Sequence, residues 1–366
     1  MSKARQLAQR TNQAGRKNLI INGAMNVAQR GTTHTLSANT SLYGIDRWRL
    51  TKIAMDQLVL GYDQSSEVPT GQGFKKSLLV NVDTAETALA SDEYSYLRYA
   101  AESQDLQQLA YGSSSAKSLT LSFWVRSSVT GDYGILVYST GTDRGYTVKY
   151  TVNAANTWEK KTVTISGDTS GSLSDDNTLG LGFYFNLGAG SDFYGNGTES
   201  WGAYDNGQLT VPTQVNLHTT QNNKFYLTGV QLEVGSTATE FEHRSYGEEL
   251  QLCKRYLQKI EMNQYSSPMI MRGSNSGGAS TVVNMLPVTM RDNFTTAYTD
   301  NVTAAYWSNI GNTSYSTETV KFYIATRSGG RGYAWGVSEA SFVGNNELVA
   351  TALYSSSLWL YLDAEL

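Results

Sequence analysis

Four apolar residues, Leu119, Leu121, Phe123 and Val125, alternate strictly with Thr120, Ser122, Trp124 and Arg126. Successive side chains on a strand leave opposite faces of the pleat, so this period of two marks a half-buried β-strand. The pattern returns at 179–187, where Leu179, Leu181, Phe183, Phe185 and Leu187 oppose Gly180, Gly182, Tyr184 and Asn186. At 357–366, Leu358, Leu360, Leu362, Ala364 and Leu366 likewise oppose Trp359, Tyr361, Asp363 and Glu365. A face that is apolar along the whole strand must be buried against a second layer, and here the second layer is another sheet.

Between these stretches lie further short β segments, at 75–82, 94–100, 133–138, 146–152, 161–165 and 224–234. They are bounded by turn residues such as Thr130-Gly131-Asp132 and Gly167-Asp168, with an irregularity expected at Thr228-Gly229. Eight or more such strands without intervening amphipathic helices predict an all-β antiparallel sandwich over 18–244, most simply a jelly roll. The 34 Gly and 24 Tyr fit this reading, since Gly supplies turns and Tyr suits a pleated surface. A brief helix is expected at 105–109 and a long loop at 190–222.

Ser245 and Glu248 have capping-box spacing, and Leu250, Cys253 and Leu257 continue a helical stripe with Tyr256 and Ile260 beside it. A connecting helix or linker is therefore expected over 245–263. From 264 to 366 the β texture returns, with strands expected at 269–272, 280–290, 319–325, 331–337 and 357–366, and a second C-terminal β-sandwich domain is expected there. At the other end, 1–17 is polar and rich in helix formers around Leu7. A helix of about three turns with so thin an apolar face is unstable alone and needs a partner, so this segment is read as an anchor.

Charge and chemistry exclude several classes. The net charge is −4, and the only dense basic run is Lys3, Arg5, Arg10, Arg16 and Lys17, so a nucleic-acid interface is not expected. No run approaches the ~20 apolar residues of a membrane span, and no signal peptide is visible, so synthesis in a cytoplasm without membrane insertion is expected. Cys253 is alone and is read as a small core hydrophobe. His34, His218 and His243 lie far apart without metal-binding spacing and are expected at surfaces or turns. No nucleophile elbow or phosphate loop occurs. Asp132, Asp143, Asp168, Asp175, Asp176 and Asp192 sit mostly beside Gly, Ser or Thr, where Asp caps turns. No enzyme is expected.

Three segments carry a resemblance. NLIINGAMNVAQRG (18–31) with YGIDRWRL (43–50) resembles the start of a module found in bacteriophage tail and fibre proteins. SLTLSFWVRSSVTGDYGI (118–135) with TWEKKTVTISGDTSG (157–171) is similar to carbohydrate-binding jelly rolls, and GVQLEVGSTATEFEHRSYGEELQLCKRYLQ (229–258) to the junction that follows the phage module. MLPVTMR (285–291) and the closing DAEL (363–366) look like the same family. The resemblance implies a virion protein, a homotrimer held to other virion proteins through its N-terminus by Lys3, Arg5, Leu7 and Arg10. It would form a short tail fibre adhering to the host surface, with two alternatives: a capsid-decorating fibre of the same fold, or a glycan-degrading appendage enzyme. A structural Ca²⁺ is also in keeping with such jelly rolls, and Glu233 is its candidate ligand by resemblance alone.

Sugar binding needs flat aromatic faces over pyranose C–H groups and polar groups for the hydroxyls. Trp124, Arg126, Tyr184 and Asn186 all fall on the non-core faces of their strands, and would make a platform for host polysaccharide if those strands shared a sheet. Trp201 and Tyr204 are the expected rim. The competing use of outward aromatics is to fill interfaces between subunits.

Overall fold

A computed structural model describes residues 17–262, 280–285, 291, 295–298, 305–309, 312–318, 321–326, 332–338, 349–352 and 358–365. The anchor segment with Lys3, Arg5, Leu7 and Arg10, and the strand expected at 269–272, lie outside the described residues. The chain divides into two compact units, one ending at Leu250 and the other running from Gln251 to Glu365.

The first unit is the expected antiparallel jelly-roll sandwich. Its strands are β1 (Thr33–Leu36), β2 (Ser41–Tyr43), β3 (Trp48–Ile53), β4 (Val59–Ser65), β5 (Ser77–Thr84), β6 (Tyr94–Glu102), β7 (Leu119–Ser127), β8 (Gly131–Ser139), β9 (Arg144–Val152), β10 (Glu159–Ile165), β11 (Leu179–Ala189), β12 (Gly202–Ala203) and β13 (Lys224–Val234). One sheet has the order β1-β4-β5-β13-β7-β10 and the other β12-β9-β8-β11-β6-β3-β2. Consecutive strands repeatedly cross between sheets, which is how a jelly roll closes around one core.

Period-two patterning decides which side chains enter that core. Leu119, Leu121, Phe123 and Val125 of β7 meet Leu181, Phe183, Phe185 and Leu187 of β11, and all eight are fully buried. Phe123 and Phe185 pack edge-on with ring centroids 5.3 Å apart, and Trp48 lies 6.0 Å from Phe185. The irregularity expected in β13 is a bulge: the β7 register slips between Thr228 and Gln231, and Gly229 adopts φ +60°. The expected helix near 105 is a 3₁₀ turn, Ser103–Leu109. His218 does lie in a turn, but it is fully buried, with Nε2 2.6 Å from Ser95 Oγ.

Three of the stretches carrying the phage resemblance, 18–31, 43–50 and 229–258, converge. Asn18 Nδ2 donates to Val230 O (3.2 Å), and its Oδ1 accepts from Leu232 N (3.0 Å). Asn22 Nδ2 donates to Val27 O and Asp46 O, its N–H donates to Glu249, and its carbonyl accepts from Trp48 Nε1. Arg244 donates to Ile20 O and Asn18 O. Stretches more than 200 residues apart thus satisfy one another's buried polar groups, as burial requires.

The connecting helix is shorter than expected. Ser245 Oγ accepts from Glu248 N (3.2 Å), and helix α1 spans only Tyr246–Lys254. Leu257–Met262 is instead a strand, paired with Leu358–Asp363, which in turn pairs with Thr295–Tyr298. Apolar residues at 250, 253, 257 and 260 suit both readings, and pairing with a distant strand decides for β. Cys253 is buried. Two further three-stranded antiparallel sheets are described in this unit. One joins Ser280–Met285, Gly332–Ser338 and Lys321–Thr326; the other joins Asn312–Glu318, Ala305–Asn309 and Val349–Ala352.

Candidate functional site

The outer face of the seven-stranded sheet carries a row of aromatic and guanidinium groups. Strand register sets it. Tyr43 of β2 pairs with Arg49 of β3, Arg49 with Arg98 of β6, Arg98 with Tyr184 of β11, and Tyr184 with Leu136 of β8. Inward neighbours such as Trp48, Leu50, Leu97, Tyr99, Phe183 and Phe185 fill the core, so alternation sends this row outward. Two positions along β6, Tyr96 pairs with Asn186, and Tyr94 follows on the same face.

The rings contact one another. Tyr94 stacks on Tyr96 at 5.8 Å, Tyr96 meets Tyr184 edge-on at 4.9 Å, and Tyr138 lies 4.8 Å from Tyr204. Phe193 closes on Tyr94 at 4.5 Å. Tyr96, Tyr184, Leu136 and Leu209 are buried, whereas Tyr94, Tyr138, Phe193 and Tyr204 are half-buried and reach solvent. The loop after β11 roofs the β8–β9 half of the face. Asn186 Nδ2 holds it by donating to Leu209 O (2.6 Å), and Gly134 N donates to Gln214 Oε1 (2.7 Å). Gly145 leaves the room for this loop, since a Cβ there would come 2.6 Å from Gln208 Oε1 and 3.3 Å from the Tyr204 ring.

Electrostatics follow from burial among neutral rings. Burial pushes the Tyr94, Tyr184 and Tyr204 hydroxyls above their ordinary pKa, with the Arg49 and Arg98 charges working the other way at Tyr94 and Tyr184. Tyr138 is pushed up to about 12 by burial and by its hydrogen bond to Asp143. These phenols therefore stay protonated at neutral pH, as donors over a cationic strip. At Arg98, burial works against the charge, but Tyr43 and Tyr184 outweigh it and raise the pKa. Arg98 donates to Tyr43 Oη at 3.2 Å, and Arg30 lies 5.4 Å over the Tyr43 ring.

The residues expected to form a sugar platform divide between the sheets. Tyr184 and Tyr204 join the row just described. Asn186 is fully buried beneath the loop and positions it rather than facing solvent. Trp124 and Arg126 belong to β7 in the opposite sheet, so the single shared platform expected is not formed. There Arg126 pairs with Glu67 (2.9 Å) and lies 5.1 Å over Tyr226, whose ring is 5.9 Å from Trp158. Trp201 packs against Tyr111 and Tyr146 at 5.7 and 5.6 Å and donates from Nε1 to Ser166 O, away from Tyr204's cluster. Glu233 is buried, and its carboxylate accepts from Gln231 Nε2, Thr239 N and Thr239 Oγ1. Among the described residues no three His, Cys, Asp or Glu side chains cluster as metal ligands would, and no helix is long and apolar enough to cross a membrane.

Tyr94, Tyr96, Tyr138, Arg49 and Arg98 were missed. The signal for three of them was present in YSYLRYA (94–100), whose alternation puts Tyr94, Tyr96 and Arg98 on one face.

No family model matches the chain, and neither does any curated protein. Among solved structures, the enzymatically active domain of bacteriophage CBA120 tailspike protein 4 matches with TM-score 0.31 and 10% identity, over 59% of this chain and 21% of that one. A CBM4 module matches at 0.27 and 15%, over 58% and 97%. The family 11 carbohydrate-binding module of a Clostridium thermocellum cellulosomal cellulase matches at 0.26 and 15%, over 59% and 100%. The assignment of the sandwich rests on the strand pairing within this chain.

Proposed function

We propose that this protein is a non-enzymatic virion subunit, a short homotrimeric tail fibre, that adheres to host-surface glycans through the outer face of its seven-stranded sheet. The row Tyr43–Arg49–Arg98–Tyr184, flanked by the solvent-reaching Tyr94, Tyr138 and Tyr204, carries the reading. Tyrosine rings cover the C–H face of a pyranose while their hydroxyls and the guanidinium groups take its oxygens. Support for the virion role comes from 18–31, 43–50 and 229–258, the phage-like segments, which meet in one buried polar network and so belong to a single structural unit. Support for binding without hydrolysis comes from three acidic side chains that are committed to structural hydrogen bonds away from this face. Asp132 accepts from Lys149, Thr151 and Thr213, Asp168 from Arg144, and Asp176 from Thr178. Avidity from three copies makes modest single sites sufficient.

The test is binding of the full chain to host cells and to their extracted polysaccharide. Replacing Tyr94 and Tyr138 together by Ala is expected to weaken binding at least about tenfold while the fold stays intact. Unchanged binding by that variant, or shortened polysaccharide chains after incubation, contradicts the reading. Sedimentation is expected to give three copies per particle.

A further inference from the structure

The outer face of the six-stranded sheet differs between its two ends. At one end the chain covers itself. Thr120 Oγ1 donates to Gly235 O (2.7 Å), Thr228 Oγ1 to Lys76 O (2.7 Å) and Gln231 Nε2 to Thr239 O (3.4 Å), and all three residues are buried although they point outward. At the other end, register lines up Asp63 of β4, Leu79 of β5, Tyr226 of β13 and Arg126 of β7, with Trp124 and Lys160 of β10 paired beside them. Leu79, Trp124 and Trp158 are left half-buried there. Charge is sorted across this end. Asp63 and Asp83 stand on β4 and β5, whereas Lys224, Arg126 and Lys160 stand on β13, β7 and β10. Glu67 reaches across to Arg126 at 2.9 Å. Among the described residues, neither Asp63, Asp83 nor Lys160 is in an ion pair. Burial, with the Asp83 charge adding to it, holds the Asp63 carboxyl above its ordinary pKa against the hydrogen bond from His34 N.

Resting on the three-copy reading above, we propose that this face is where copies of the chain meet: the β7–β10 side of one, with Trp124 and Lys160, docks against the β4–β5 side of the next, with Leu79, Asp63 and Asp83. Only a contact between unlike halves joins opposite charges, and a head-to-tail contact of that kind, repeated about an axis, closes a ring. Aromatic and aliphatic groups at the centre with charges around them is how protein interfaces are composed. The contact also shields β10 and β1, the two end strands of the sheet, which would otherwise offer unpaired backbone groups. It leaves the seven-stranded face of every copy free for glycan.

The experiment is carbodiimide coupling of the full chain, which joins amines to carboxylates in contact, followed by peptide mass spectrometry. Within one sheet Lys160 lies four strands from Asp63 and three from Asp83, about 19 and 14 Å, so a link between them joins two copies. Lys160–Asp63 or Lys160–Asp83 links are expected in covalent two- and three-chain species, and none from Lys160→Arg, which keeps the charge but not the amine. In sedimentation, Lys160→Glu is expected to raise the dissociation constant for assembly at least about tenfold. Adding Asp63→Lys to the same chain is expected to restore assembly, a rescue that misfolding cannot produce. Three copies that form neither link and are indifferent to Lys160→Glu overturn the inference and leave the trimer standing. Shielding of Trp124 by host polysaccharide in place of a second copy overturns the inference too, and a single-copy species overturns both readings.

Discussion

His218 shows how a single buried group couples this fold to pH. Its ring is fully enclosed, Nε2 pairs with Ser95 Oγ at 2.6 Å, and Nδ1 has no hydrogen-bond partner. Burial, with a further push from the Lys52 charge, drives its pKa from 6.5 down to about 3. In the unfolded chain the imidazole takes up a proton below about pH 6.5, whereas the folded protein holds it neutral until about pH 3. The unfolded state therefore binds more protons in that window, and stability falls as pH falls. At pH 5 the loss relative to pH 8 is about 2 kcal/mol from this residue alone. Denaturant midpoints at the two pH values are expected to show it, and His218→Gln is expected to flatten the dependence by that amount. An equal pH dependence in the variant would contradict the assignment. Sequence alone put His218 at a surface or a turn; it lies in a turn, but sequence had no means of seeing that the turn is covered.

At the scale of elements, β13 is where local chemistry and the fold meet most tightly. The Thr228-Gly229 irregularity was legible because a glycine inside an apolar strand is costly unless the backbone needs it. The structure supplies the need: φ is +60° at Gly229, and a Cβ there would lie 2.5 Å from the Phe74 ring. Across the same bulge, Gly23 lets Val230 N donate to its carbonyl at 2.9 Å, and a Cβ on Gly23 would strike Val230 O at 2.1 Å. A backbone oxygen cannot rotate away as a side chain can. Gly23→Ala is therefore expected to cost at least about 1–3 kcal/mol. Gly229→Ala adds the left-handed penalty of about 1–2 kcal/mol to its clash. Calorimetry of the two variants checks this, and changes under about 0.5 kcal/mol would count against the close approach. The segment after α1 (Tyr246–Lys254) marks the opposite case. Leu257 and Ile260 fit a helical stripe and a strand equally well, and only pairing with Leu358–Asp363 decided between them.

For the whole molecule, period-two patterning told which side of β7 and β11 faces the core: Leu119, Leu121, Phe123, Val125, Leu181, Phe183, Phe185 and Leu187 are buried, whereas Leu179, expected with them, is only partly buried, before a register irregularity that separates it from Leu181. It did not tell which sheet each strand joins, because that depends on pairings such as Trp48 with Tyr99 and Phe183 with Tyr99, between residues tens of positions apart. Trp124 and Tyr184 were grouped for their outward faces, yet those faces point away from each other across the sandwich. The row that does form needs β2, β3, β6 and β11 side by side, a non-local arrangement no window of sequence contains. We propose that this face, and not its opposite, meets the glycan. Hydroxyl-radical footprinting of the full chain with and without host polysaccharide tests it directly, since tyrosine and tryptophan both report. Protection of Tyr94, Tyr138 and Tyr204 with Trp124 and Trp158 unchanged is the expected result; protection of Trp124 and Trp158 instead, or of neither face, would contradict it.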